Sequence, residues 1–313
     1  MKMKYIEDLK IELSKTDLTD YEINEIVEDF QEMINEALEQ GVEEKDFEAK
    51  FGNPKQLASE LGTEYNEKQE KSEGKSNMRF SPINNYNIQI ELCNEDINLD
   101  VIDGNEILVD FKGVKRIKDY EINYVDSSLV IKCPKKYKTN IFNFKGKSQF
   151  NIFLPKNITV DSINIINING DGEIKGLIAN KFKIKVTNGD YRFFDCNFAL
   201  SEIETVNGDY EFKNYKGEKL SVSLVNGDIK LGNIILSGDF SINTVSGDVK
   251  INDFVCIDSF IKSVSGDINA IDFYPENLTL KTISGDVDIK NSDKMKIIKN
   301  FKKTTISGDI VIH

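Results

Sequence analysis

The step Asn-Gly-Asp or Ser-Gly-Asp recurs through the second half of the chain at a nearly constant interval. Its glycines are Gly170, Gly189, Gly208, Gly227, Gly247, Gly266, Gly285 and Gly308, and their successive spacings are 19, 19, 19, 20, 19, 19 and 23 residues. A fixed period of about 20 residues is typical of stacked supersecondary units, which bury their apolar faces against one another. This period constrains the fold more than any other feature of the sequence.

Apolar residues occupy fixed positions relative to each repeat glycine. The positions two and four residues after the glycine, and two and five residues before it, carry mostly Ile, Val, Leu, Phe and Tyr. Intervals of two with β-branched and aromatic residues indicate strands rather than helices. We predict two main strands and a short third one per repeat, with all four columns facing inward. Stacking pairs each strand with its own equivalent, which gives a parallel β-solenoid (β-helix) of about eight regular 19-residue rungs.

The repeated step has a structural explanation as a turn. Glycine accepts positive φ at little cost, and Asn and Ser side chains can satisfy the backbone groups of a turn. We predict that the aspartates after the glycines form an outward column, at Asp171, Asp190, Asp209, Asp228, Asp248, Asp267, Asp286 and Asp309. Neighbouring carboxylates repel by about 1 kcal/mol in water, so turn N–H groups, lysines, solvent or a cation must offset the repulsion. We favour a structural turn role, with cation binding as the alternative.

Residues 1–65 have the pattern of a small N-terminal helical domain. Between residues 20 and 40 the apolar residues follow the three-four spacing of one helical stripe. They are Ile23, Ile26, Val27, Phe30, Met33, Ile34, Ala37 and Leu38. An earlier helix presents Leu9 and Leu13, and short later helices carry Phe47 and Phe51. The chain is therefore predicted to be a multi-domain α and β protein.

The remaining boundaries follow from composition. Residues 66–79 lack apolar periodicity and are rich in Lys, Glu, Ser and Asn, as a linker would be. Residues 80–158 contain irregular strands, with Asp103-Gly104 as a predicted hairpin turn, and form either a cap or the first rungs. The regular solenoid repeats are assigned to residues 159–313.

The formal net charge of −13 is concentrated near the N-terminus. Residues 1–75 hold 21 acidic and 10 basic side chains, which leaves 32 and 30 for the rest of the chain. Because neither part has a surplus of Lys and Arg, direct nucleic-acid binding is disfavoured. The acidic head instead predicts a basic protein surface as its partner. The candidate partner-binding residues are Glu25, Glu28, Asp29, Glu32 and Glu36.

The sequence offers little material for catalysis, and we predict no catalytic, cofactor-binding or metal-binding residues. The single histidine is His313, which excludes Ser-His-Asp and Cys-His nucleophile arrangements. No GxGxxG or GxxxxGKS/T phosphate loop occurs. A polysaccharide-active β-helix enzyme is the enzymatic alternative, but its catalytic carboxylates should interrupt the repeat, whereas these aspartates extend it.

The spacing of the cysteines and the N-terminal sequence indicate in which cellular compartment the protein is expected. Cys93, Cys133, Cys196 and Cys256 are 40, 63 and 60 residues apart without a CxxC pair, so we expect reduced core thiols. The start, MKMKYIEDLKIEL, carries acidic residues where a signal peptide needs an unbroken apolar core. No stretch approaches the roughly 20 apolar residues of a transmembrane helix. We expect a cytoplasmic protein, with the cell surface by an unconventional route as the alternative.

Two stretches resemble known bacterial families. The run "VSGDV", "ISGDV", "ISGDI" after "FNIFLPKNITV" resembles the putative-adhesin β-solenoid family, a domain of unknown function whose relatives include Lia-type envelope-stress proteins. The stretch "DFQEMINEALEQGVEEKDFEAKFGNPKQLASELG" is similar to the HAAS-type helical signalling domain. The first resemblance implies a role in the cell-envelope stress response. The second implies association with PadR-like transcriptional regulators and membrane-associated signalling proteins.

These features together predict a non-enzymatic bacterial signalling or scaffold protein. The acidic head would dock a regulator, either PadR-like or another envelope-stress signalling component, while the solenoid would act as a binding scaffold. The alternative is a surface adhesin or peptide-binding protein.

Overall fold

The computed structural model describes residues 2–16, 18, 20–39, 42–59, 61, 77–114, 117–134, 148–293, 296 and 298–313. The chain divides into two compact units, a helical one within residues 1–76 and a β unit that begins at Asn77. None of the helices in these described ranges is long and apolar enough to cross a membrane.

The helical unit is built from amphipathic helices whose apolar faces meet in one core. Helix α1 covers Lys2–Leu13, α2 covers Asp20–Glu39 and α3 covers Phe47–Phe51, with a 3-10 turn at Glu44–Asp46 and a helical stretch at 54–59. The core includes Leu9, Leu13, Ile23, Phe30, Ile34, Ala37, Phe47, Phe51 and Leu61. The Tyr5 hydroxyl donates a hydrogen bond to the Gly52 carbonyl over 2.7 Å and so ties α1 to the end of α3. The predicted small helical domain is confirmed.

The β unit consists of strands of 3 to 17 residues wound into successive turns. The first strands are β1 Asn77–Phe80, β2 Tyr86–Leu92, β3 Asp96–Ile102, β4 Ile107–Lys112, β5 Glu121–Val125, β6 Ser128–Lys132 and β7 Gln149–Pro155. The next are β8 Val160–Asn169, β9 Gly172–Lys175, β10 Ile178–Asn188, β11 Tyr191–Phe194, β12 Asn197–Asn207, β13 Tyr210–Asn226 and β14 Ile229–Leu236. The last are β15 Asp239–Ser246, β16 Val249–Ser265, β17 Ile268–Ser284, β18 Val287–Lys290, β19 Asn300–Thr304 and β20 Ile310–Ile312.

Each repeat strand pairs in parallel with its own equivalents in the rungs before and after it. In β10, Ile184 lies opposite Ile165 of β8 on one side and Ile203 of β12 on the other. The short strand β11 lies between β9 and β13 in the same way. Parallel pairing at the sequence period is the defining feature of a β-solenoid. The predicted fold class is therefore confirmed.

The interior of the solenoid is filled by stacks of like side chains. The ring of Phe193 stacks on that of Phe212 with centroids 4.5 Å apart, and Tyr191 stacks on Tyr210 at 5.8 Å. Because equivalent residues in adjacent rungs are about 4.8 Å apart, an aromatic column can continue from rung to rung at contact distance. The core is thus a set of columns that are visible in the sequence at the repeat interval.

The first rungs are stacked out of chain order. Ile90 of β2 lies between Ile131 of β6 and Ile165 of β8. In the same rung, β3 lies between β7 and β9. The chain therefore enters the solenoid in its second rung, turns back to build the outermost rung and then crosses to the third. Antiparallel pairs β1–β4, β4–β7 and β5–β6 flank the outermost rung, so residues 80–158 supply both rungs and a cap.

A glutamate takes the place of the repeat glycine in this second rung. Asn94-Glu95-Asp96 lies over Asn169-Gly170-Asp171, and a Cβ at position 170 would be 2.3 Å from the Glu95 carbonyl oxygen. The Glu95 carboxylate is buried, and it accepts hydrogen bonds from the Cys93 N–H at 2.9 Å and from the Tyr120 hydroxyl. These donors satisfy a carboxylate that would otherwise be costly to bury.

The expectation of four reduced thiols is wrong for two of the cysteines. Cys93 and Cys133 form a disulfide, with Cα atoms 6.4 Å apart, while Cys196 and Cys256 are free and buried. Cys93 follows β2 and Cys133 follows β6, and these strands are neighbours because of the out-of-order stacking. The separation of 40 residues along the chain concealed this proximity.

Two local expectations also require correction. Asp103-Gly104 is not a hairpin turn, since β3 pairs with β7 and β9 whereas β4 pairs with β1 and β7. The chain leaves the rung at this turn instead of folding back on β3. The predicted linker 66–79 ends three residues too late, because β1 starts at Asn77 and pairs with β4. Residues 66–76 lie outside the described residues.

Candidate functional site

The aspartates after the repeat glycines form a continuous hydrogen-bonded column, which we call the Asp ladder. Its members are Asp96, Asp171, Asp190, Asp209, Asp228, Asp248, Asp267, Asp286 and Asp309. At each step Oδ1 of one aspartate accepts a hydrogen bond of 2.8–2.9 Å from the backbone N–H of the aspartate in the next rung. A backbone N–H directed at each carboxylate from Asp96 to Asp286 offsets part of the repulsion between neighbouring charges.

The asparagines before the glycines form a second column beside the first. Asn169, Asn188, Asn207 and Asn226 each donate from Nδ2 to Oδ1 of the asparagine one rung earlier, over 2.6–2.9 Å. An amide donates and accepts at once, so the column propagates without a break. From Ser246 onward serine replaces asparagine at this position. These asparagine side chains therefore connect neighbouring rungs, whereas the sequence predicted that each would cap the backbone of its own turn.

The repeat glycines are required by conformation and by space together. Their φ angles lie between +103° and +151°, a region that side chains of L-residues rarely adopt. A Cβ at Gly208 would also lie 2.0 Å from the carbonyl oxygen of Gly189 in the rung beneath. Any side chain at these positions would therefore push adjacent rungs apart.

A further column of left-handed residues was missed by the sequence analysis. Asp195, Asn214, Asn233, Asp253 and Asp272 follow the repeat glycines by six residues and have φ between +52° and +56°. Asn and Asp tolerate this region better than other non-glycine residues. Hydrogen bonds donated by Tyr274 and Ser292 lower the pKa of Asp272 to about 2. Asp or Asn at every nineteenth or twentieth position was the available signal for this turn.

The column two residues before each glycine faces outward, contrary to the prediction. Val206, Val245 and Ile283 are 42%, 46% and 44% exposed. The position three before the glycine faces inward instead, which buries Thr205, Thr244 and Thr282. In a strand of period two, the residues five and two before the glycine cannot share a face. The outward column, which we call the apolar ridge, consists of Ile168, Thr187, Val206, Val225, Val245, Val264, Ile283 and Ile306.

The reactive side chains inside the solenoid are held in unreactive states. Burial raises the pKa of the Cys196 thiol and of the Cys256 thiol to about 12. The Tyr191 hydroxyl accepts a hydrogen bond from Asn167 Nδ2 over 3.2 Å, and burial raises its pKa far above the usual range. Within the described ranges, no group of three or more His, Cys, Asp or Glu side chains could hold a metal ion.

The candidate partner-binding acids all belong to α2. Glu25, Glu28, Asp29, Glu32 and Glu36 fall within its bounds, but their side chains lie outside the described residues. The apolar residues of the same helix, among them Phe30 and Ile34, are buried in the helical core.

Comparison with known proteins gives two family matches. A family model described as Toastrack DUF4097 matches residues 68–253 and 238–313, and the HAAS model matches residues 4–60. No curated protein matches the chain.

Several solved structures are similar to this chain over about three quarters of its length. A putative adhesin from Parabacteroides distasonis is 15% identical with a TM-score of 0.49, and the match covers 75% of this chain and 96% of that one. A putative adhesin from Parabacteroides merdae is 17% identical with a TM-score of 0.48, covering 76% and 97%. A putative adhesin from Bacteroides fragilis is 16% identical with a TM-score of 0.44, covering 75% and 95%.

Proposed function

Since the chain belongs to the Toastrack DUF4097 family and its residues 4–60 match the HAAS model, we propose that it is a non-enzymatic signalling scaffold of the cell-envelope stress response. In this proposal the acidic head docks a regulator, and the solenoid is the rigid scaffold that carries it. The observation that carries the proposal is the pairing of these two units in one chain, together with the charge asymmetry between them.

The partner is proposed to be a PadR-like regulator or another envelope-stress signalling component with a basic surface. The head carries 21 acidic against 10 basic residues within positions 1–75, so long-range attraction would speed its encounter with a basic surface. We place this interaction in the cytoplasm. In this proposal the repeated Gly-Asp step has a structural role and not a ligand-binding one, because the carboxylates of the Asp ladder accept hydrogen bonds from backbone N–H groups of the neighbouring rung.

The proposal is tested by binding a purified PadR-like regulator from the same organism to the full-length chain. The Glu25→Lys/Glu32→Lys variant should slow association, and binding should weaken from low to physiological salt. The matched control is Glu121→Lys/Glu218→Lys, which makes the same change in net charge on exposed residues of the β unit. Equal effects of the two variants, or salt-independent binding, would contradict a docking role for α2.

One observation favours the second candidate function, a surface adhesin or peptide-binding protein. Disulfides persist mainly in oxidising compartments, and Cys93–Cys133 joins two neighbouring rungs of the first turns. Cell fractionation combined with thiol alkylation before lysis separates the two candidates. A cytoplasmic pool with reduced Cys93 supports the signalling scaffold, and a surface pool with the bond intact supports the adhesin.

A further inference from the structure

The outward side chains on one face of the solenoid change in charge along its length. These side chains form two columns, which lie six and four residues before each repeat glycine. In the earlier rungs, Lys183 and Lys185 pair with Glu202 and Glu204 of the next rung, over 2.9–3.4 Å. The lysines in this part of the face are therefore neutralised by the solenoid itself.

The last three rungs of the same face carry lysines without such partners. Lys262 lies opposite Lys281 in the parallel register, and Lys302 lies opposite Thr279. Among the described residues, no carboxylate lies within ion-pair distance of these three lysines, which are all exposed. Two carboxylates of these rungs have other partners, since Glu276 pairs with Lys299 at 2.6 Å and Asp258 accepts a hydrogen bond from Asn277 at 2.6 Å.

Apolar side chains stand between and beside these lysines. The Phe260 ring is half-buried, and Lys281 Nζ lies 5.4 Å from its centroid. The apolar ridge borders the lysines with Val264, Ile283 and Ile306, of which Ile283 is 44% and Ile306 is 79% exposed. We call the surface formed by Phe260, Lys262, Lys281, Ile283, Lys302 and Ile306 the basic apolar face. The Asp ladder lies beyond the turn glycines, and one oxygen of each carboxylate up to Asp286 accepts a hydrogen bond from the backbone N–H of the next rung.

We propose that the basic apolar face docks on an anionic lipid bilayer, a role that goes beyond the proposed signalling function. Lysines on flexible stems attract mobile anionic headgroups as point charges, and exposed β-branched side chains enter the boundary between headgroups and acyl chains. The strands that carry Phe260, Lys262, Lys281 and Lys302 are parallel and in register, so these side chains form a continuous array that can lie against a bilayer surface. An acidic protein partner would instead favour arginine, whose guanidinium binds carboxylates through two hydrogen bonds, and this face has none.

The test is co-sedimentation of the full-length protein with vesicles of phosphatidylglycerol and phosphatidylcholine, compared with phosphatidylcholine alone. Each lysine near an anionic surface contributes a factor of about 5 in affinity, so Lys262→Gln/Lys281→Gln should weaken binding about 25-fold. The matched control is Lys230→Gln/Lys250→Gln. These lysines are also exposed register partners in adjacent rungs, but they lie on a different strand of the rung with Gly232 and Asn252 beside them. The control should change binding by less than about twofold.

Ile283→Ser tests the apolar contribution to binding, which a purely electrostatic interaction would lack. It should reduce the fraction of binding that persists at high salt, and circular dichroism should show every variant folded. Equal losses in the two lysine variants, or equal binding to phosphatidylcholine alone, would overturn the proposal. Binding to polyglutamate but not to anionic vesicles would also overturn it and would identify an acidic protein as the partner. No regulator is used, so this result is independent of the head-docking test.

Discussion

Gly247 lies directly over Gly227 of the neighbouring rung, and a Cβ at position 247 would be 1.9 Å from the Gly227 carbonyl oxygen. Since its φ is also +128°, Gly247→Ala should lower the free energy of unfolding by at least about 2 kcal/mol. Urea denaturation followed by circular dichroism measures this change. Gly232→Ala is the control, because the nearest atom to its added Cβ would be 3.9 Å away. Similar losses at both positions would show that rung contact is not what demands glycine.

The Asp ladder should depend on the acceptor oxygen more than on the charge. Asp248 accepts the backbone N–H of Asp267 over 2.9 Å. Asp248→Ala removes this acceptor and should cost about 1–2 kcal/mol, while Asp248→Asn keeps an oxygen in place and should cost less. Chemical denaturation of the two variants compares them. If Asp248→Asn were the more damaging change, the negative charge itself would be needed and cation binding by the ladder would become the better explanation.

The cysteines should divide into two classes. Denatured but unreduced protein should release two thiols, from Cys196 and Cys256, since Cys93 and Cys133 are joined. In the native protein neither free thiol should react, because both are buried and their pKa is raised to about 12. Thiol titration with and without denaturant measures both quantities. Four titratable thiols in the oxidised, denatured protein would contradict the bond.

Reduction of the disulfide should destabilise the first rungs. The bond closes a loop between residues 40 positions apart, for which chain entropy gives about 4 kcal/mol. The Cys93→Ala/Cys133→Ala variant should therefore unfold at a lower urea concentration than the oxidised protein and should no longer respond to reductant. An oxidised protein whose unfolding is insensitive to reductant would argue against this contribution.

Asp272 should contribute to acid unfolding. Its folded pKa of about 2 lies below the usual aspartate value of 3.8, chiefly because Tyr274 and Ser292 donate hydrogen bonds to it. A carboxyl group whose pKa is lower in the folded state stabilises the fold at a pH above its unfolded-state pKa. This stabilisation is lost as the pH falls through its folded-state pKa. The stability difference between wild type and Asp272→Asn should thus be largest above about pH 5 and should shrink toward pH 2. Urea titrations across this range test the sign. A difference that grows on acidification would refute the assignment.

The sequence was sufficient for the regular part of the fold because that part is periodic. A column such as Ile184 and Ile203 repeats at the rung interval, and stacking equivalent strands is the only arrangement that buries every such column at once. The turn glycines were found in the same way. The Asp and Asn residues at left-handed turns, such as Asn214, repeated just as regularly and were missed because no glycine marked them. The inward assignment of Val206 failed because it ignored the period of two.

The tertiary structure alone decided which elements meet when they are not one repeat apart. β2 stacks between β6 and β8, so Cys93 meets Cys133, and Glu95 takes the place of a glycine over Gly170. These residues share no interval with the repeat, and their contacts depend on the path of the chain through the cap. The same holds for charge on the surface: Lys183 is paired, whereas Lys262 has no ion-pair partner among the described residues, because pairing depends on which residue the next rung places beside each lysine. The local sequence pattern determines where a strand forms and which of its side chains point inward. Long-range contacts depend instead on the three-dimensional order of the rungs.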